Sequence, residues 1–162
     1  MGDMEILLVR HGSASWDTKT DIERELTPLG QQEASAAADW IGSSGWQPDE
    51  LWVSPYRRAV QTAAILNRDW QLKSRLKSSL TPDTPQSELE AMLATFRGER
   101  LLVVSHNPLL SNAIDYWHGG ANKSYWGMQP ASMALIRTEV FAQGCGNLEW
   151  LRHYPNYDHN GR

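Results

Sequence analysis

The chain has 162 residues, 41% hydrophobic and 21% charged, with a formal net charge of -4 and a pI near 5.7. This length suits one domain around one sizeable core, and the acidic balance argues against nucleic acid as the main partner, because duplex binding calls for a basic face. The single cysteine, Cys145, excludes an intrachain disulfide and fits a reducing compartment; between Gly144 and Gly146, with no basic neighbour, it is expected to be chemically idle.

In chain order, Ile6–Val9 is a short continuous apolar run, which reads as a strand buried on both faces. It is too short for the apolar core of a signal peptide, and no stretch is long enough to span a bilayer, so the expected location is the cytoplasm with no membrane partner. Residues 13–25 are polar and read as a loop. Thr27-Pro28 is a helix start, and the helix is expected to run to Ile41 and stop at Gly42–Gly45. Leu51–Ser54 is a second strand, and Arg58–Asn67 a helix with Ala59, Ala63 and Leu66 on one face. Residues 68–83 lack a clear pattern beyond a short extended piece near Leu80. Thr84-Pro85 opens a helix closed by Gly98, Leu101–Val104 is a third buried strand, and Pro108 opens a helix to about Trp117. Ser132–Val140 and Leu148–His153 alternate as strands joined by the turn at Gly144–Gly146. The eight tryptophans have scattered spacings and are expected in the core or at its edge.

This order implies an α/β sandwich: a mostly parallel sheet with an antiparallel edge and helices on both faces. One domain over residues 1–162 is expected, with a polar tail frayed from about residue 156. In such sheets ligands bind beyond the carboxyl ends of the strands. Those ends carry Arg10 and His11, then Ser54 leading into Arg57 and Arg58, then Ser105 and His106.

A phosphoryl group carries close to two negative charges, and arginine's planar fork donates paired hydrogen bonds to its oxygens. Gly12 would let backbone approach the group closely, and helix N-termini after the second and third strands would add positive dipole ends. A neutral imidazole is a good nucleophile near pH 7, and a second can stabilise charge on the transferred group. No histidine pair has a short metal-ligand spacing, so no metal is expected. No GxSxG elbow marks serine catalysis.

Four segments together carry a family resemblance. Leu8-Val9-Arg10-His11-Gly12, Leu26-Thr27-Pro28-Leu29-Gly30, Ser54-Pro55-Tyr56-Arg57-Arg58-Ala59-Val60-Gln61-Thr62-Ala63 and Val104-Ser105-His106-Asn107-Pro108 resemble, in order, the motifs of the histidine phosphatase (phosphoglycerate-mutase-like) superfamily. The resemblance implies a three-layer α/β/α sandwich and a hydrolase in which His11 accepts the phosphoryl group. It makes Arg10 and Arg58 phosphate ligands and His106 the second pocket histidine. Arg57 falls on a variable position. The phosphoryl-transfer mechanism implied by the resemblance needs no organic cofactor.

The short length, without room for a cap domain, resembles the SixA-type phosphohistidine phosphatases. No clear glutamate acid stands between the second and third strands; Asp83, after Leu80-Thr81-Pro82, is the candidate general acid, with a turn or capping role as its alternative. An alkoxide leaving group needs a proton from an acid, whereas imidazole leaving from phosphohistidine needs less help. The implied substrate is therefore phosphohistidine on a partner protein, such as a histidine-containing phosphotransfer domain in signal transduction. Ser13-Ala14-Ser15-Trp16-Asp17 is similar to the mutase branch as well, which keeps a small phosphomonoester as the alternative. A phosphate-binding module without activity is the rival of another class. A monomer is expected.

Overall fold

The computed structural model describes residues 2–119 and 126–161; Met1, residues 120–125 and Arg162, which the expected single domain over 1–162 includes, lie outside the described residues. The strands are β1 (Met4–Arg10), β2 (Glu50–Val53), β3 (Ser74–Leu76), β4 (Arg100–Ser105), β5 (Met133–Thr138) and β6 (Asn147–Arg152). The helices are α1 (Pro28–Ser44), α2 (Arg57–Leu66), α3 (Gln86–Leu93) and α4 (Leu109–Ile114), the last continuing into a π-helical turn at Asp115–Gly119. One six-stranded sheet has the order β3-β2-β4-β1-β5-β6. Its first four strands are mutually parallel; β5 runs antiparallel to β1, and β6 to β5. The fold is an α/β/α sandwich with an antiparallel edge, as the element order implied.

The continuous apolar strands are explained by burial on both faces. Along β1, Ile6 and Leu8 face the layer that contains Leu89, Leu93, Leu110 and Ile114 of α3 and α4. Leu7 and Val9 face Ala37 and Ile41 of α1 and Ala59, Ala63 and Leu66 of α2. On β4, Leu101 and Val103 take the first face, Leu102 and Val104 the second. Period-two side chains thus serve two cores from one strand. Helix α1 starts where Thr27 Oγ1 accepts the Gly30 amide at 3.0 Å, with Pro28 in its first turn. It runs through Gly42 and stops at Gly45, whose φ of 79° is the left-handed conformation that closes a helix.

Two expectations need correction. The patternless stretch 68–83 contains β3, an exposed three-residue edge strand, and a 3₁₀ turn at Ser78–Leu80. So short and exposed a strand buries no alternating face, and leaves no pattern to read. The tail from residue 156 is not frayed. Tyr157 is buried and its hydroxyl donates to Ala131 O at 2.7 Å. Asp158 Oδ1 accepts the Trp40 indole N–H at 3.1 Å, and Asn160 Oδ1 accepts the Leu151 amide at 3.1 Å. One aromatic anchor holds a segment whose composition is otherwise polar.

Candidate active site

Register brings the predicted residues together. Arg10 pairs with Ser105 across β1 and β4, and Val53 with Val104 across β2 and β4. Two further bonds level the strand ends: His11 N donates to Ser105 O at 3.0 Å, and Ser54 N to Val104 O at 3.0 Å. The next residues out from the sheet are therefore His11, His106 and the start of α2. The rings of His11 and His106 stand 5.0 Å apart, edge to face.

The His11 ring has a determined tautomer. Its Nδ1 lies 2.7 Å from the carbonyl oxygen of Gly12, which can only accept, so Nδ1 carries the proton. The neutral ring then has a lone pair at Nε2, which accepts from Arg58 Nε at 3.1 Å. Burial pushes this imidazole from 6.5 down to about 3; the Gly12 carbonyl opposes the shift, and the charges of Arg58, Arg10 and Arg24 add to it. His106 falls to about 2 through burial, then the charges of His11, Arg58, Arg10 and Arg24. Its Nε2 is 2.7 Å from Ser54 Oγ, which also accepts the Tyr56 amide at 3.2 Å. If the serine hydroxyl donates to Nε2, His106 Nδ1 carries the proton; that atom is buried with no partner among the described residues, a donor suited to a phosphoryl oxygen.

The arginines are held from outside the pocket. Arg58 Nη1 donates to Asp21 O at 2.6 Å and Nη2 to Asp21 Oδ2 at 3.2 Å, with the Arg58 side chain only 4% exposed. Arg10 Nη1 donates to Met128 O at 2.7 Å, and the same carbonyl accepts Asn107 Nδ2 at 2.9 Å. Arg24 donates to Ser15 O at 2.9 Å, Ala14 O at 3.2 Å and Asp21 Oδ1 at 3.2 Å. Arg57 is exposed and pairs with Glu25 at 3.1 Å, away from the histidines. Its amide donates to Ile22 O at 3.0 Å, so the polar loop caps the start of α2.

The motif residues around these groups act as fasteners. Thr62 Oγ1 accepts the Gly12 amide at 3.1 Å and donates to Arg58 O at 2.8 Å. Gln61 Oε1 accepts the Leu26 amide at 2.7 Å, and Glu33 Oε1 the Ser13 amide at 2.7 Å. A Cβ on Gly12 would sit 2.6 Å from Gly30 O, and one on Gly30 would strike the Ser13 carbonyl, so the glycines of the first two motifs are required by their mutual contact.

Asp83 stands apart. It is exposed in the turn before α3 and makes no hydrogen bond or ion pair among the described residues. The 3₁₀ turn leading to it is tied to the site's rim by Ser105 Oγ, which donates to Leu80 O at 2.6 Å. The sequence reading missed the fastening roles of Ser54, Gln61 and Thr62, which lay inside a quoted motif. It also missed Asp21 and Arg24, which sit in a loop without periodicity. Among the described residues, no group of three or more His, Cys, Asp or Glu side chains is placed to hold a metal.

Comparison with known proteins adds independent findings. The family model described as histidine phosphatase superfamily (branch 1) matches residues 6–81. The phosphohistidine phosphatase SixA of Escherichia coli K12 is 31% identical over 116 residues, covering 68% of this chain and 72% of that protein. A SixA homologue of Haemophilus influenzae is 28% identical over 146 residues, covering 82% and 87%. The solved structure of the protein histidine phosphatase SixA with tungstate superposes with a TM-score of 0.83 at 24% identity, over 93% of this chain and 97% of that one, a likeness of fold.

Proposed function

The chain belongs to the histidine phosphatase superfamily and is a phosphatase; from that premise we propose that His11 is its phosphoryl-accepting nucleophile and that its substrate is a phosphohistidine carried by another protein. The observation that carries the reading is the fixed tautomer of His11. Its proton is committed to the Gly12 carbonyl and its lone pair faces the guanidinium of Arg58. Burial holds this nucleophile neutral near pH 7, with its lone pair available.

The reaction has two steps. His11 Nε2 attacks phosphorus in line, forming a P–N bond as the bond to the leaving group breaks. Water then attacks phosphorus, the P–N bond to His11 breaks, and inorganic phosphate departs with His11 neutral again. Arg10 and Arg58 hold the equatorial oxygens, and His106 donates through Nδ1. Placed charge carries most of the catalysis, as suits a loose phosphoryl transition state.

A protein substrate is supported by the similarity to a phosphohistidine phosphatase over 72% of that relative's length. It also suits a site whose one candidate acid, Asp83, is exposed and bonded to neither histidine. The same reading makes the protein a cytoplasmic monomer acting in signal transduction, which fits its lone, exposed thiol, Cys145. A phosphomonoester metabolite is the second reading, favoured by the bond from Ser105 to the 3₁₀ turn that leads to Asp83. Turnover of a phosphorylated histidine-containing phosphotransfer domain, measured against sugar and glycerate phosphates, separates them. The protein substrate is expected to be preferred, and Asp83→Asn to leave its turnover unchanged. Preference for a metabolite, with loss of ester turnover in Asp83→Asn, would establish the second reading instead.

A further inference from the structure

The loop between β1 and α1 reaches the site through Asp21, a carboxylate shared by two arginines. Asp21 accepts Arg58 through Oδ2 and through its backbone oxygen, and Arg24 through Oδ1. Its side chain stays 50% exposed, whereas those of Arg58 and Arg24 are 4% and 12% exposed. Each carboxylate oxygen therefore holds one arginine, and half of the side chain is still open to solvent.

Resting on the phosphatase reading above, we propose that Asp21 is both the positioning residue for Arg58 and the specificity-determining residue at the mouth, selecting phosphoryl groups on neutral carriers over those on carriers with a second negative charge.

The charges around the site support this. Arg10, Arg24 and Arg58 against Asp21, with both histidines neutral, leave an excess of two positive charges. That excess matches one phosphoryl dianion and leaves nothing for a further carboxylate. The surrounding loop offers little to a second anion. Residues 13–27 carry Asp17, Asp21, Glu23 and Glu25 against Lys19 and Arg24. Arg24 is committed to Asp21, and the nearby Arg57 to Glu25, which leaves Lys19. Exposed apolar groups on the same loop, Trp16 and Ile22, suit an uncharged carrier surface. A carboxylate-bearing metabolite seated with its phosphoryl group on His11 would set its second charge against Asp21, whereas the imidazole of a phosphohistidine would not.

The test is a matched pair of ligands, glycerol 3-phosphate and 3-phosphoglycerate, which differ by a carboxylate. Their dissociation constants are measured by calorimetry for the wild type, Asp21→Asn and Asp21→Glu. The wild type is expected to bind glycerol 3-phosphate more tightly. Asp21→Asn is expected to shift the ratio toward 3-phosphoglycerate by about five- to tenfold. Asp21→Glu is expected to restore the wild-type ratio, and added salt to shrink it. An unchanged ratio in Asp21→Asn, even with both ligands weakened, would overturn the specificity role, as would failure of Asp21→Glu to restore it. Failure of the underlying reading has another signature: no acid-labile phosphoryl label on His11 in the wild type.

Discussion

At the scale of the residue, the site depends on fixing an imidazole and two guanidiniums that would otherwise rotate freely. The Gly12 carbonyl sets the His11 tautomer, and Asp21 sets Arg58. Thr62 links the two, because one hydroxyl takes the Gly12 amide and returns a proton to the Arg58 carbonyl. Thr62→Val keeps the shape but leaves that buried amide unpaired, at a cost of about 1–3 kcal/mol. Its kcat is expected to fall about tenfold or more with KM changed less, because the His11 ring loses its aim while the site keeps its charge. Steady-state kinetics beside a urea melt checks this; equal losses in kcat and KM would contradict it. The placement of Arg10, His11 and His106 was legible from sequence because each sits at or just past an apolar run, where a parallel sheet must present it; Arg58 was separated from Arg57 only by the family resemblance. Asp21 and Arg24 were not, since their roles come from how a patternless loop folds over the rim.

At the scale of the element, two glycines decide how closely the β1 exit loop meets the first turn of α1. Thr27 N donates to Ser13 O at 3.0 Å, and a Cβ on Gly30 would run into that same carbonyl. Gly30→Ala must therefore move backbone. Overpacking of this kind costs about 1–3 kcal/mol, which for this chain length is a fall of about 2–12 °C in Tm. Thermal melts of Gly30→Ala beside Gly42→Ala separate the effects, because a Cβ at Gly42 meets nothing within 4 Å. A Gly30→Ala variant as stable as the wild type would contradict the close approach. The helices that flank the sheet were readable because their buried positions repeat, as at Ala34, Ala37, Ala38 and Ile41 of α1. Strand β3 was not, since all three of its residues are exposed and its place is set by pairing with β2.

At the scale of the whole molecule, two buried neutral histidines tie stability to pH. In the unfolded chain both titrate near 6.5; in the fold they fall to about 3 and about 2. Above 6.5 neither state holds the extra protons. Below it the unfolded chain gains protons that the fold refuses, so stability falls with pH by up to about 1.4 kcal/mol per unit for each ring. His153, lowered by burial, acts in the same direction. Urea midpoints are expected to drop between about pH 7 and pH 5, and saturating inorganic phosphate to reduce the drop, because a bound anion favours the charged rings. A flat profile over that range would show the rings to be less buried than they are here. The tail belongs to this scale too. Its polar composition pointed to fraying, but Tyr157 closes on the Ala131 carbonyl, and the Ala131 amide in turn donates to Arg10 O at 3.0 Å and His11 O at 3.1 Å. Such a tie, between chain end and site, leaves no local pattern. The most direct test of the account is rapid-quench turnover of a phosphorylated substrate followed by mapping of the phosphoryl group on the protein. The account predicts a transient acid-labile label on His11, absent in His11→Ala together with turnover; a label on any other residue, or full turnover in His11→Ala, would contradict it.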